Sequence, residues 1–109
     1  MKIVVVGLGY VGTITSFALA KLGQHVIGCE KDESKIKILK SNNPHFYEPG
    51  LEELINNGSS NISFTSDLSS IDFKEIDFIF ICVGTPSGRN GKLNLNAIYD
   101  TVEQLISYD

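Results

Sequence analysis

Short apolar runs alternate along this chain with segments in which apolar residues recur at every third or fourth position. The run KIVVV (residues 2–6) is β-branched and ends at a glycine, which predicts a strand buried on both faces. The run DFIFICV (77–83) gives the strongest strand signal in the chain, and HVIGCE (25–30) and NISF (61–64) predict two more. The pattern therefore predicts four strands.

Helices are predicted between these strands. The first covers residues 10–22 and ends at Gly23, because glycine commonly follows the last residue of a helix. Its apolar side chains recur at helical spacing and are expected to form one packed face: Val11, Ile14, Ala18, Leu19 and Leu22. Asp32 can cap a second helix, which carries Ile36 and Leu39 and ends at SNNP (41–44). Further helices are predicted at residues 51–57 and 96–107, with a short one at 67–71.

The alternation of strand and helix predicts an α/β fold, a Rossmann-type parallel sheet with helices on both faces. In the usual doubly wound order the first strand is central, and the first and fourth strands flank a crevice. The turns that follow these two strands would then face each other. They are the most glycine-rich turns of the chain, GLGYVG (7–12) and GTPS (84–87).

Gly7, Gly9 and Gly12 have the spacing of a dinucleotide-binding turn between a strand and a helix. The first glycine of such a turn allows the sharp bend, the second lets a pyrophosphate approach the backbone, and the third lets helix and strand pack closely. The free N–H groups at the start of the helix would face the phosphates. The alternative is a glycine-rich turn that binds nothing.

Glu30 ends the second predicted strand, where an acidic side chain can accept hydrogen bonds from the adenosine ribose. Its negative charge would repel a 2′-phosphate, which favours NAD over NADP. Lys31 and Lys35 lie close enough in sequence to weaken this preference. A solvated glutamate without a ligand is the alternative.

Composition restricts the remaining possibilities. The 109 residues are 42 % apolar and 20 % charged, as expected of one globular domain, and the net charge of −4 argues against binding to nucleic acid or acidic membranes. No apolar run approaches the roughly 18 residues of a membrane helix, and the start does not resemble a signal peptide. Cys29 and Cys82 are expected to be buried free thiols, which fits a reducing, cytoplasmic setting.

Four segments together resemble the N-terminal domain of the UDP-glucose/GDP-mannose 6-dehydrogenases. They are GLGYVG (7–12), VIGCEKDESKI (26–36), YEPGLEELI (47–55) and FICVGTPSGRNGKLNL (80–95). The resemblance covers nearly all of the chain. It implies an enzyme of polysaccharide biosynthesis that oxidises the sugar C6 alcohol to a carboxylate in two NAD-dependent steps.

The resemblance also implies roles for single residues. Tyr10 and Val11 fall on positions that contact the pyrophosphate, Glu30 on the ribose-binding acidic position, and Lys35 on a basic position near the adenosine. Thr85 falls on a cofactor-contacting threonine, although a plain turn threonine is the alternative. The expected NAD-binding set is Gly7, Gly9, Tyr10, Val11, Gly12, Glu30, Lys35, Val83, Gly84, Thr85 and Pro86. The family usually has aspartate where this chain has Glu30.

Glu48, in the segment HFYEPG (45–50), has two interpretations. It can serve the crevice, because a non-helical segment after the second strand can reach it. It can equally stabilise the helix that follows, whose first turn favours acidic groups.

No catalytic residue is expected within residues 1–109. The family uses a nucleophilic cysteine with a lysine, an asparagine and an aspartate, all beyond residue 109, and Cys29 and Cys82 do not match that cysteine. Residues 1–109 are thus expected to be an incomplete NAD-binding domain whose substrate domains are absent. Those domains would bind the nucleotide sugar, UDP-glucose or GDP-mannose rather than an N-acetylhexosamine, and the full enzyme would be a homo-oligomer.

The incomplete sheet would leave DFIFICV (77–83) on an edge, so that the chain is either a fragment or a dimer that covers this edge. Two other functions stay open. One is a 3-hydroxy-acid dehydrogenase, which shares the glycine motif but lacks the Glu-Pro-Gly-Leu segment. The other is a stand-alone NAD-sensing module without catalysis.

Overall fold

The computed structural model describes residues 1–85, Gly91 and residues 94–108, and it contains one parallel sheet. The four strands lie in the order β3-β2-β1-β4. They are β1 (Lys2–Val6), β2 (His25–Cys29), β3 (Ile62–Thr65) and β4 (Phe78–Ile81). Each strand pairs in parallel with its neighbour, with Val5 opposite Gly28 on one side and Phe80 on the other. The predicted Rossmann-type α/β fold is confirmed.

Four helices connect these strands or follow the last one. They are α1 (Tyr10–Lys21), α2 (Glu33–Lys40), α3 (Leu51–Gly58) and α4 (Asn96–Ile106). Asp32 caps α2 as predicted, because its carboxylate accepts the Ser34 N–H at 3.0 Å. The short helix expected at 67–71 is a 3₁₀ turn, Leu68–Ser70. No helix among the described residues is long and apolar enough to span a membrane.

Strand β1 supplies the centre of two cores, one on each face of the sheet. Ile3 and Val5 pack with α1, α2 and α3 on one face, around Phe17, Leu39 and Ile55. Val4 and Val6 pack on the other face with Leu68, and Leu105 of α4 covers them. Since successive side chains of a strand point to opposite faces, one apolar run serves both cores.

The packed face predicted for α1 is wrong for Val11 and Leu22 and holds in part for Ile14 and Leu19, which pack against the core. Val11 and Leu22 are 61 % and 75 % exposed, and Ile14, Ala18 and Leu19 are only half-buried. The buried side is formed by small or polar residues and one aromatic: Gly12, Thr13, Ser16, Phe17 and Ala20. The cause is the close approach of α1 to its neighbours, which leaves space only for small side chains along most of this side. A Cβ at Gly58 of α3, for example, would lie 2.8 Å from the Phe17 carbonyl oxygen.

Strand β4 forms one edge of the sheet, as the incomplete sheet predicted. It hydrogen-bonds only to β1, although its sequence is as apolar as that of β1. Phe78, Ile79 and Phe80 are therefore exposed, Phe78 by 54 %.

Candidate functional site

A cavity of about 580 Å³ opens at the carboxyl ends of β1 and β4, where the doubly wound topology places a ligand crevice. This volume lies in the usual range for small-molecule sites. Nine of the predicted cofactor-binding residues line it: Gly7, Gly9, Tyr10, Val11, Glu30, Lys35, Val83, Gly84 and Thr85. Gly12 lies behind the turn, against Gly7, and Pro86 lies outside the described residues. The two glycine-rich turns thus meet at one cavity.

The three glycines of the first turn meet different surroundings. Gly7 has φ +94°, and a Cβ there would lie 2.8 Å from the backbone of Cys82 and Val83. A Cβ at Gly12 would lie 1.7 Å from the Gly7 carbonyl oxygen, so only glycine lets α1 begin so close to the end of β1. A Cβ at Gly9 would meet nothing within 4 Å. Gly7 and Gly12 are therefore required by the fold, whereas Gly9 leaves space on the cavity side.

Helix α1 presents its N-terminus to this cavity. Gly9 is its N-cap residue and has no side chain to accept the first N–H groups, and the Gly9 carbonyl accepts the Thr13 N–H at 3.1 Å. Tyr10 and Val11, which follow, are exposed and line the cavity. The N–H groups of a helix's first turn have no partner within the helix, and the helix dipole adds partial positive charge. Such an N-terminus next to a side-chain-free glycine fits a pyrophosphate.

Glu30 lies beside this turn and is held in place by the backbone. One carboxylate oxygen accepts the N–H of Leu8 and the other that of Asp32, each at 3.0 Å. The side chain therefore joins the glycine turn to the start of α2. Each carboxylate oxygen keeps a second lone pair for a ligand hydroxyl. Lys31 and Lys35 also line the cavity.

The two cysteine thiols border the cavity but are not activated. Burial, with smaller contributions from the charges of Glu30 and Asp67, raises the pKa of Cys29 to about 11. Burial also raises the pKa of Cys82. Because the thiolate is the nucleophilic form, burial disfavours the reactive form of both groups. Within the part of the chain that the structure describes, no three metal-ligating side chains come together.

Sequence reasoning missed the residues that complete the cavity wall. Ser66, Asp67 and Leu68 follow β3, and Thr101 and Gln104 belong to α4. The position of Ser66 after a parallel strand is a signal that could have been used, since ligands bind at the carboxyl ends of such strands. The helix residues carry no local signal.

Glu48 does not line this cavity. Residues 48–51 form a type II turn, in which the Glu48 carbonyl accepts the Leu51 N–H at 3.1 Å and Gly50 has φ +84°. Hydrogen bonding to the Glu48 carboxylate, followed by burial and the Glu48 charge, raises the pKa of Tyr10. The Glu48 side chain therefore faces Tyr10, at the start of α1.

Comparisons with known proteins agree with this geometry. The model of the UDP-glucose/GDP-mannose dehydrogenase family, NAD binding domain, matches residues 1–108. UDP-glucose 6-dehydrogenase TuaD of Bacillus subtilis is 38 % identical over 99 residues, which are 89 % of this chain and 21 % of that protein. The chain spans about a quarter or less of the length of the curated relatives it matches.

Solved structures give the same result. A GDP-mannose dehydrogenase from Pseudomonas aeruginosa, determined as a ternary complex, superposes with a TM-score of 0.85 at 38 % identity, over 93 % of this chain and 23 % of that one. A UDP-glucose dehydrogenase from Pyrobaculum islandicum gives 0.83 at 35 % identity, over 91 % and 23 %. The chain therefore belongs to the UDP-glucose/GDP-mannose dehydrogenase family, and residues 1–108 are its NAD-binding domain.

Proposed function

We propose that this chain is the cofactor-binding part of a nucleotide-sugar 6-dehydrogenase that oxidises the C6 alcohol of UDP-glucose or GDP-mannose to a carboxylate. The observation that carries the proposal is the cavity at the carboxyl ends of β1 and β4, with its side-chain-free helix N-terminus beside a fixed carboxylate. An alcohol loses four electrons on the way to a carboxylate, and each NAD accepts two of them as hydride. The reaction therefore needs two NAD-dependent steps.

The chain's own residues bind and orient the cofactor. The N–H groups of Tyr10 and Val11 would donate to the pyrophosphate, and the space beside Gly9 would admit it. Glu30 would accept the ribose hydroxyls, with Lys35 near the adenosine end. Thr85, in the turn after the carboxyl end of β4, can bond a cofactor phosphate or ribose through its hydroxyl. This arrangement would direct the nicotinamide away from Glu30, along the crevice.

Glu30 also supports a preference for NAD over NADP. A 2′-phosphate would have to enter beside a carboxylate whose two oxygens are both fixed by backbone N–H groups. Lys31 and Lys35 would offset part of that repulsion, because both are cationic residues that line the same cavity. The expected result is weaker NADP binding rather than none.

The sugar-oxidising residues and the nucleotide-sugar contacts would come from further domains, in a homo-oligomeric cytoplasmic enzyme of polysaccharide precursor synthesis. Two observations support the presence of further domains. The chain corresponds to about a fifth of a relative such as TuaD. The exposed apolar edge of β4 is suited to pairing with additional strands.

Cofactor binding is tested by calorimetric titration of the chain with NAD and with NADP. NAD should bind more tightly, and Glu30→Ala should weaken NAD while narrowing the difference between the two. Glu52→Ala is the matched control, because Glu52 is an exposed acid on α3 that does not line the cavity. Equal affinities of the wild-type chain for the two cofactors would contradict the role of Glu30.

The reaction is tested in a chimera. Residues 1–108 replace the corresponding domain of the Pseudomonas aeruginosa GDP-mannose dehydrogenase, whose fold they share. The chimera should form two NADH for each GDP-mannose, whereas the chain alone should form none. A folded chimera that binds NAD yet oxidises no sugar would favour the alternative, a binding module without catalysis.

A further inference from the structure

Three residues between α2 and α3 lie against the first turns of α1 through side-chain contacts: His45, Phe46 and Glu48. None of these residues lines the cavity, and the proposed function assigns them no role. They nevertheless contact Tyr10, an exposed residue within the glycine turn, and Thr13, a buried residue that directly follows it.

The buried contact is a chain of hydrogen bonds from His45 to the glycine turn. The Thr13 hydroxyl donates to the Leu8 carbonyl at 3.0 Å and lies 3.1 Å from His45 Nε2. Since its one proton is used on Leu8, the hydroxyl must accept, and His45 must donate from Nε2. Thr13 and Leu8 are fully buried and His45 is half-buried, so water competes little for these bonds.

Leu8 is thereby held from two directions. Its carbonyl accepts the Thr13 hydroxyl, and its N–H donates to Glu30. Other contacts also hold this turn: the Leu8 side chain is fully buried, and the Gly7 N–H donates to the Cys29 carbonyl at 2.8 Å. The Thr13 bond adds a restraint on the Leu8 carbonyl itself, and His45 supports this bond.

The exposed contact involves Tyr10. Its ring centroid lies 5.3 Å from that of Phe46, which in turn meets the His45 ring edge to face at 4.8 Å. The Glu48 carboxylate faces the Tyr10 hydroxyl. The type II turn that follows holds this segment in place, because its last residue, Leu51, is buried in the core that also contains Phe17 of α1.

We propose that His45 is a positioning residue for the dinucleotide pyrophosphate: through Thr13 it fixes the Leu8 carbonyl and thus the glycine turn from which the N–H groups of α1 reach the phosphates. The inference rests on the cofactor site of the proposed function and extends it to a segment outside the cavity. It predicts that removing the Nε2 donor weakens ligands that carry a pyrophosphate more than ligands that lack one.

The test is a calorimetric series of NAD, ADP and AMP with the chain and three variants. His45→Leu removes the donor, His45→Gln keeps an amide N–H near the position of Nε2, and His25→Leu changes the other histidine, which is exposed at the start of β2. His45→Leu should weaken NAD and ADP about three- to tenfold, the range that one hydrogen bond supplies, and AMP less. His45→Gln should restore most of the affinity, and His25→Leu should change nothing.

A second measurement keeps the inference testable if His45→Leu lowers stability. Nitrogen-15 NMR of the histidine rings reports the tautomer, and His45 should carry its proton on Nε2. Equal losses for NAD, ADP and AMP, no loss in a folded His45→Leu, or an Nδ1 tautomer would each overturn the inference while leaving the proposed function intact. A folded wild-type chain that binds no NAD would instead overturn both.

Discussion

The two sides of helix α1 differ in a way opposite to that of an ordinary amphipathic helix. The side that packs on the sheet carries Gly12, Thr13 and Ser16, and Phe17 is its one large side chain. The outer side carries Val11 and Leu22, which are largely exposed. Helix α1 begins almost in contact with the end of β1. The short distance between them, rather than hydrophobicity, therefore determines which residues occupy the packed side.

Close approach also has a functional consequence. It places the N-terminus of α1 at the carboxyl end of β1, where the cavity lies. The packed side should therefore determine stability, and the first residues of the outer side should determine cofactor affinity. Substitutions on the two sides test that division.

Phe17→Ala should give the largest effect. Phe17 is fully buried and its ring lies 5.9 Å from that of Phe64, so truncation leaves a cavity in the larger core. We expect the free energy of unfolding to fall by about 3–5 kcal/mol, measured by urea denaturation. Leu22→Ala, on the outer side of the same helix, should change it by less than about 0.5 kcal/mol. Similar losses in both variants would contradict the division.

Gly12→Ala should give the next largest loss of stability. The added methyl group would lie 1.7 Å from the Gly7 carbonyl oxygen, so the helix or the turn must move. Overpacking of this kind costs about 1–3 kcal/mol, and the displaced turn should also lose NAD affinity. Urea denaturation and calorimetry of the same sample measure both effects.

Gly9→Ala adds the same methyl group on the cavity side. Gly9 has φ −78° and nothing within 4 Å of the new Cβ, so stability should be nearly unchanged. The methyl group occupies the space expected for the pyrophosphate, and NAD affinity should fall at least about tenfold, or 1.4 kcal/mol. An unchanged affinity in this variant would mean that the phosphates lie elsewhere.

Glu48→Gln should have the smallest effect, on the pKa of Tyr10. The Glu48 carboxylate raises that pKa by favouring the protonated phenol, so the neutral amide should let it return toward 10.0. Ultraviolet difference titration of wild type and variant measures the change. Tyr10→Phe identifies which of the four tyrosines is responsible. Because glutamine keeps an acceptor oxygen, a titration curve identical to that of wild type would show that the charge of Glu48 does not act on Tyr10.

The sequence was sufficient to predict the strands and the two turns that meet at the cavity, because these depend on local signals. The strand order follows from the usual order of a doubly wound sheet. An apolar run bounded by a glycine predicts β1, and the spacing of Gly7, Gly9 and Gly12 places a helix directly after it. Glu30 was found for the same reason, since its distance from the glycines is set by one helix and one strand.

The features that sequence reasoning missed depend on contacts between distant segments. The packed side of α1 was predicted from periodicity, which assumes that large apolar residues face the core. That assumption fails at Gly12, because the Gly7 carbonyl oxygen leaves no space for a side chain there. The bonds of Glu30 to Leu8 and of His45 to Thr13 join residues that lie 22 and 32 positions apart. No local sequence pattern predicts such pairs.

We expect NAD to bind at the N-terminus of α1, between the turns that follow β1 and β4. The most direct test is a titration of the nitrogen-15-labelled chain with NAD, followed by amide NMR. We expect the largest shifts at the N–H groups of Gly9, Tyr10 and Val11, with further shifts at Glu30 and Thr85. Saturable shifts confined to another part of the surface, or none in a folded chain, would contradict this expectation.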